Sequence, residues 1–296
     1  MTTRALVLGG GGTVGIAWES GLISGLARGG VDLGQADFTL GTSAGAFVGA
    51  RLAMGASASA LVDPILAETP PPPPQSGAKP ATAPDLSPLV MMMAQVHAGT
   101  RPAQEVLVEI GAFALAATTA DEAAFIATFG RSFAGLPQDA WPERGYACTA
   151  VDALTGEFKL WTRESGVGVT RAVASSCSVP GIFPPVTLQG RRYMDGGMRS
   201  GLNADQAGGH DLVVVIQVRT GATAGPAAAA ADAKVEVELE TLQAGGAKTL
   251  LIDPDAASLT AMGLNLMDAR NRAAAARAGL AQGLAQAQDL KAVWGG

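Results

Sequence analysis

Two short apolar runs in the N-terminal part of the chain each end in a glycine-rich turn that leads into a helical pattern. Residues 5–8 (Ala-Leu-Val-Leu) precede four consecutive glycines, and residues 38–40 (Phe-Thr-Leu) precede the sequence Gly-Thr-Ser-Ala-Gly. Each run has the length and apolarity of a short buried strand, and residues 16–28 and 44–54 have the composition of buried helices. Strand, glycine turn and helix in direct succession predict an α/β fold.

The second half of the chain carries further strand patterns. Residues 146–151 and 158–161 are separated by a segment with a Thr-Gly turn signal, which predicts an antiparallel pair. Residues 212–218 are the clearest buried strand of the chain. The other predictions for this half are a short strand at 191–194, a low-complexity loop at 221–233, a helix near 235–244, a strand at 249–252 and a long Ala-rich helix from 269 to about 290.

The region from about residue 63 to 140 differs in character from the rest of the chain. A proline run at 70–74 is followed by Pro80, Pro84 and Pro88, which predicts an extended connector. Helical patterning returns from 90 to about 133 and predicts two or three helices packed as a cap. A length of 296 residues fits one large α/β domain, so we expect a single domain over residues 1–296 with a Pro-rich linker and a helical cap insertion at about 63–140.

Charge and cysteine content exclude several classes of partner. The chain has 20 Lys and Arg against 26 Asp and Glu, a net charge of −6, and no basic run that could follow a phosphate backbone, so no nucleic-acid partner is expected. Cys148 and Cys177 fit no metal-ligand spacing and are expected to be reduced and buried, with no metal or cofactor. No apolar stretch has spanning length, and the first one is too short for a signal peptide, so the expected location is cytoplasmic.

Ser43 is a candidate nucleophile. A serine hydroxyl is a weak nucleophile that needs an exposed position, a neighbouring base and donors for the oxyanion. Gly41 and Gly45 flank Ser43 at two-residue spacing, as in a sharp strand-to-helix turn where backbones approach too closely for side chains. The helix that follows directs its N-terminus at this position, which favours developing negative charge. Taken alone, Ser43 fits a helix N-cap equally well.

The glycines at 10–12 offer consecutive backbone N–H groups at the other strand-to-helix junction. Such a nest binds either an oxyanion or a phosphate. Gly10, Gly12 and Gly15 also match the dinucleotide fingerprint, and Asp32 lies about 20 residues further on, where that fingerprint has a ribose-binding acid. Asp32 follows Arg-Gly-Gly-Val rather than an apolar strand, which favours the oxyanion interpretation.

Asp195 is the candidate base. It follows a short strand pattern and precedes Gly196 and Gly197, although an Asp-Gly hairpin turn has the same sequence. Because the unperturbed pKa of an aspartate is about 3.9, Asp195 has to be buried beside the serine to act near neutral pH. The two histidines are poorer candidates. His210 precedes a strand, whereas sites in open α/β sheets form at the carboxyl ends of strands, and His97 lies in the predicted cap.

Taken together, these motifs resemble the patatin-like phospholipase family, whose bacterial members are acyl hydrolases with a serine and aspartate dyad. The resemblance covers the glycine loop at 10–15, the serine turn at 41–45, the segment 174–186, Asp195-Gly-Gly, and residues 203–205. It implies a three-layer fold in which helices flank a mostly parallel central sheet.

The resemblance also implies a role for each matching residue. Ser43 corresponds to the nucleophile and Asp195 to the general base. The implied oxyanion donors are the backbone N–H groups of Gly10, Gly11 and Gly12, and the supporting glycines are Gly15, Gly41, Gly45, Gly196 and Gly197. Val14 stands where many members carry Arg or Lys, a departure that affects a headgroup contact but not a backbone oxyanion hole.

The activity implied by the resemblance is hydrolysis of a lipid carboxylic ester, in a phospholipid or lysophospholipid, through an acyl-enzyme. The expected partner is therefore a lipid or acyl-ester substrate, met through transient membrane or micelle contact. Met91, Met92, Met93 and Phe113 would suit an acyl chain if they face the cleft, and otherwise pack the cap. The alternatives are a catalytically silent lipid-binding protein and a Rossmann-like nucleotide-binding protein.

Overall fold

The computed structural model describes residues 2–69, 85–220 and 226–295, so most of the predicted Pro-rich linker lies outside the described residues. The strands are β1 Arg4–Leu8, β2 Phe38–Gly41, β3 Gly145–Asp152, β4 Phe158–Trp161, β5 Val186–Leu188, β6 Arg191–Asp195, β7 Leu212–Ile216 and β8 Lys248–Ile252. The helices are α1 Gly12–Arg28, α2 Ala44–Ala53, α3 Asp63–Leu66, α4 Ser87–Ala98, α5 Ala103–Ala116, α6 Glu122–Gly130, α7 Val169–Ser176, α8 Pro226–Ala244, α9 Ala256–Met262 and α10 Arg272–Trp294.

One segment of secondary structure differs from its prediction. The loop predicted at 221–233 is wrong from Pro226 onward, because α8 begins there and continues to Ala244. Alanine has the highest helix propensity, and proline is tolerated in the first turn of a helix. From Pro226 onward, the low-complexity stretch therefore forms an Ala-rich helix.

The sheet explains why the two glycine turns meet. In the described residues, eight strands form one sheet. Strands β3, β2, β1, β7 and β8 lie side by side in this order and run parallel to one another, and β4 pairs antiparallel with β3 as predicted. Leu8 lies opposite Gly41, and Gly41 lies opposite Cys148. The C-terminal ends of β1 and β2 therefore lie side by side at the same edge of the sheet.

Strand β6 pairs with the part of β3 that extends beyond the end of β2. Gly41 and Trp161 both pair with Cys148, so β2 and β4 lie on opposite sides of β3. Further along β3, Ala150 pairs with both β4 and Asp195 of β6. Since a strand has only two sides, β6 lies on the side of β2, and its C-terminal end lies beside the point where β2 ends. The last residue of β6, Asp195, is thereby brought next to the turn that follows β2.

Helices cover both faces of the sheet. On β1, Leu6 and Leu8 pack in a cluster with residues of α1 and α10, whereas Ala5 and Val7 pack in a cluster with residues of α8. This alternation is that of a strand buried on both faces. The predicted three-layer α/β fold with a mostly parallel sheet is confirmed.

The three helices between residues 85 and 140 do not lie on one face. Helices α4 and α5 pack with Val151 and Met194, while α6 packs through Phe125 in a cluster that contains Cys148 and Tyr193. Because Tyr193 and Met194 are successive strand residues, they point to opposite faces of the sheet. Helix α6 therefore lies on the face of α2 and α7, and α4 and α5 lie on the other.

Candidate active site

Ser43 lies in a strained turn between β2 and α2. Its backbone has φ 52° and ψ −113°, a conformation that residues with a side chain rarely adopt. A Cβ at Gly41 would overlap the backbone of Ala46, and a Cβ at Gly45 would overlap the carbonyl of Leu8. The two glycines are required because the turn places three backbone segments in contact, as their spacing predicted.

The last residue of α7 and the residue after it hold the Ser43 backbone from the other side. The Ser43 N–H donates to Ser176 Oγ at 3.0 Å, and the Cys177 thiol donates to the Ser43 carbonyl at 3.1 Å. Burial raises the pKa of the Cys177 thiol well above its ordinary value, so this thiol stays protonated and acts as a donor. These contacts join sequence positions more than 130 residues apart.

Asp195 is buried at the end of β6, with only 2% of its surface exposed. Its Oδ1 accepts a hydrogen bond of 2.7 Å from the Gly197 N–H, whereas Oδ2 has no hydrogen-bond partner in the part of the chain that the structure describes. Burial raises the pKa of Asp195 to about 7, and the nearby Ser43 hydroxyl and the Gly197 N–H only partly oppose the rise. The carboxylate is therefore available as a base near neutral pH.

A buried amide joins the chain segments that carry Ser43 and Asp195. Asn203 Nδ2 donates to Thr42 Oγ1 at 3.1 Å, to the Gly196 carbonyl at 3.2 Å and to the Ser200 carbonyl at 2.7 Å. Asn203 itself has φ 54°, a left-handed conformation that asparagine tolerates better than most residues. Thr42 precedes the serine and Gly196 follows the carboxylate, so one side chain links both turns.

The glycine loop lies beside Ser43, but only part of it is available as a donor. A Cβ at Gly10 would be 3.5 Å from the Ser43 Cβ. The Gly10 N–H donates to the Gly201 carbonyl at 2.8 Å, which corrects its prediction as an oxyanion donor. Among the described residues, the N–H groups of Gly11 and Gly12 have no acceptor, because Gly11 is the N-cap and Gly12 the first residue of α1, where N–H groups lack a partner within the helix.

An apolar cavity of about 280 Å³ opens over Ser43. One wall is aromatic: Phe125 of α6 stacks on Phe183 with ring centroids 4.7 Å apart, and Phe129 lies edge-on to Phe125. The other lining residues are Gly12, Thr13, Ile16, Ala44, Thr128, Cys177, Val179 and Met267. Phe125, Phe129 and Met267 belong to none of the motifs that indicate a site in the sequence.

The other candidate residues of the sequence lie elsewhere. Met92, Met93 and Phe113 pack in the cluster of α4 and α5, and Met91 is 65% exposed, so the methionine run lines no part of the cavity. His210 precedes β7, at the amino ends of the strands, where it stacks on Phe38. The side chain of His97 is not among those described.

Asp32 does not have the place of a ribose-binding acid. It precedes β2, at the edge opposite the glycine loop, and its side chain accepts a hydrogen bond from the Gly34 N–H. In a dinucleotide fold this acid lies at the carboxyl end of the second strand. Within the described ranges, no group of three or more His, Cys, Asp or Glu side chains could hold a metal ion, and no helix is both long and apolar enough to cross a bilayer.

Comparison with known families agrees with this architecture. The sequence model of the patatin-like phospholipases matches residues 6–207, a range that contains Ser43, Asp195 and the glycine loop. The chain belongs to the patatin-like phospholipase family. This membership supports lipid ester hydrolysis in general terms, and the match ends before α8, α9 and α10.

Two solved structures align with nearly the whole chain. VipD from Legionella pneumophila is 15% identical with a TM-score of 0.48, and the alignment covers 98% of this chain and 67% of VipD. The type III effector protein ExoU is 15% identical with a TM-score of 0.39, and the alignment covers 97% of this chain and 53% of ExoU. No curated protein sequence gives a significant match.

Proposed function

We propose that this protein is a serine acyl hydrolase that cleaves lipid carboxylic esters with Ser43 as the nucleophile and Asp195 as the base. One observation carries the proposal: beside a strained serine lies a buried carboxylate with a pKa of about 7, whose Oδ2 has no hydrogen-bond partner among the described residues. Backbone strain and a buried carboxylate that is only partly hydrogen-bonded both cost stability, and such costs cluster at catalytic sites.

The reaction starts with attack of the Ser43 Oγ on the ester carbonyl carbon while Asp195 Oδ2 takes the hydroxyl proton. The N–H groups of Gly11 and Gly12 donate hydrogen bonds to the carbonyl oxygen and stabilise the negative charge that forms on it. Collapse of this intermediate expels the alcohol, which takes the proton from Asp195 and leaves an acyl group on Ser43. Water then attacks the acyl carbonyl carbon while Asp195 accepts its proton. Collapse of this second intermediate breaks the bond to Ser43 Oγ, which takes the proton back from Asp195, and the fatty acid is released.

The remaining glycines of the motifs support these groups. A Cβ at Gly196 would overlap Thr149 of β3, so a larger residue would displace the turn after Asp195. Gly197 supplies the N–H that binds Asp195 Oδ1. A Cβ at Gly15 would lie 3.3 Å from Val218, a tight contact behind the glycine loop.

The substrate proposed for this site is a phospholipid or lysophospholipid. The cavity over Ser43 is apolar and aromatic, which suits an acyl chain, and its open side allows transient contact with a membrane or micelle. The same cavity would also serve a catalytically silent lipid-binding protein. Covalent labelling of Ser43 by a fluorophosphonate distinguishes the two, because the label needs an activated serine.

The experiment is hydrolysis of p-nitrophenyl esters from acetate to palmitate by the native protein, Ser43→Ala and Asp195→Asn. Native activity that is lost in both variants supports the dyad. Ser57→Ala and Asp289→Asn, at exposed positions outside the cavity, are matched controls that keep the native rate. Activity that survives in Asp195→Asn means that another group is the base, and absence of both activity and fluorophosphonate labelling means a silent binder.

A further inference from the structure

A segment beyond the family match contacts the glycine loop. Residues 263–272, here called the C-terminal segment, connect α9 to the first residue of α10. The family match ends at residue 207, so this segment is an element that the match does not cover. Its Leu266 carbonyl accepts a hydrogen bond of 2.9 Å from the Val14 N–H, in the first turn of α1.

Gly12 shows how closely the two segments approach. Its φ is 57°, and a Cβ at this position would come within 2.8 Å of the Leu266 carbonyl oxygen and 2.7 Å of Met267 Sδ. Only a glycine fits between the loop and the C-terminal segment without displacing one of them. Met267 is therefore seated directly against the glycine loop, and it also lines the cavity over Ser43.

An arginine fixes the far end of the segment. Arg272 Nη1 donates to the Thr13 carbonyl at 2.7 Å and to Thr13 Oγ1 at 2.8 Å. Its Nε and Nη2 bind Glu68 in a bidentate pair, both at 2.8 Å. This planar, double contact defines the position of the guanidinium better than a single hydrogen bond would. The segment that carries Met267 is thus attached to the loop at Val14 and at Thr13.

We propose that Met267 limits the length of the acyl chain that the cavity accepts. This inference rests on the proposed function, because it takes the cavity over Ser43 as the acyl site. Met267 lines the same cavity as Ser43, together with the aromatic side chains of Phe125, Phe129 and Phe183. The phenylalanines are held by stacking, so the methionine wall sets the space that remains. A smaller side chain at 267 lengthens the space, and a larger one shortens it.

The first test is the chain-length profile of ester hydrolysis. Met267→Ala raises the kcat/KM of the dodecanoate ester relative to the butyrate ester by about fourfold to sixteenfold, since the freed space takes one or two more methylenes and each is worth roughly a fourfold gain in binding. Met267→Trp moves the same ratio in the opposite direction. Met91→Ala, an exposed methionine on α4, is the matched control and keeps the native profile.

The second test needs no catalysis. Binding of saturated carboxylic acids from hexanoate to tetradecanoate is measured by calorimetry in the Ser43→Ala background, with and without the Met267 substitutions. A shift of the preferred acid toward longer chains in Met267→Ala and shorter chains in Met267→Trp supports the proposal, even if no ester is cleaved and the hydrolase assignment fails. Ester hydrolysis with an unchanged chain-length preference in both variants overturns the role of Met267 and leaves the hydrolase assignment intact. Unchanged binding of the acids in both variants also overturns it.

Discussion

Asn203 donates a hydrogen bond of 3.1 Å to Thr42, the residue that precedes the candidate nucleophile. The same amide nitrogen binds the Gly196 carbonyl, directly after the candidate base. Thr42 and Gly196 are both buried, so each of these contacts is made away from water, where an unsatisfied polar group is costly. Asn203 is therefore placed to keep Ser43 and Asp195 at a constant separation, as a positioning residue that does not contact the substrate.

Replacement of Asn203 by alanine tests this relationship. We expect kcat to fall roughly tenfold to a hundredfold, because small displacements of reacting groups have effects of this size, while KM changes little. Steady-state kinetics on a short ester gives the two constants separately. Thr42→Val removes the acceptor of this hydrogen bond. The kcat of the double variant, Asn203→Ala with Thr42→Val, should fall by less than the product of the two single reductions. If kcat/KM of Asn203→Ala fell only because KM rose, with kcat unchanged, a positioning role would be contradicted.

The pKa of Asp195 predicts how the rate depends on pH. A base must be ionised to accept the Ser43 proton, and the ionised fraction of Asp195 rises through its pKa of about 7. We expect kcat/KM to increase about tenfold per pH unit below 7 and to level off above it. Titration of the acid released from a butyrate ester between pH 5 and 9 measures this. A midpoint below pH 5 would mean that the working base is a solvated carboxylate instead.

The same pKa predicts a change in stability. The folded pKa of Asp195 lies above the value of about 3.9 expected in the unfolded chain, so its contribution to stability is complete below pH 4 and is lost as the pH rises through 7. Asp195→Asn cannot ionise and avoids this loss. We expect the melting temperature of Asp195→Asn minus that of the native protein to be constant below about pH 4, to become more positive as the pH rises from about 4 to 7, and to be constant again above 7.

Thermal unfolding followed by circular dichroism at several pH values measures the difference between Asp195→Asn and the native protein. Asp289→Asn, at an exposed position, is the control, and its difference from the native protein should not vary with pH. A constant difference for Asp195→Asn would show that Asp195 is not desolvated in the folded state.

Local features of the site could be predicted from the sequence, because they depend on neighbours in the chain. The spacing of Gly41, Ser43 and Gly45 is sufficient for a sharp strand-to-helix turn, and the structure has that turn. Asp195 could be selected as a candidate, but its burial could not be derived. It depends on β6 pairing with the side of β3 that β2 leaves, which is a long-range property of the sheet.

The role of Gly10 and the position of the methionines depend on long-range packing in the same way. Gly10 was predicted as an oxyanion donor because three successive glycines are equivalent in sequence, and only the approach of Gly201 distinguishes it from Gly11 and Gly12. The methionines of α4 and the phenylalanines of α6 have similar apolarity. Their different positions follow from the face of the sheet on which each helix packs, which no local pattern of apolar residues specifies.

Arg272 offers a test of whether the C-terminal segment supports catalysis through the glycine loop. Arg272→Ala removes both hydrogen bonds to Thr13 and leaves Glu68 without its partner. Because Thr13 follows the two open N–H donors, we expect kcat on the acetate ester to fall by about threefold to tenfold, an effect of donor misplacement.

Arg270→Ala is the matched control, since Arg270 is exposed and its guanidinium binds Asp268. Arg272→Lys should not restore the rate, because an ammonium cannot reproduce the fork that binds Thr13 and Glu68 together. Equal rates for Arg272→Ala and Arg270→Ala would show that the tie to Thr13 has no part in the reaction.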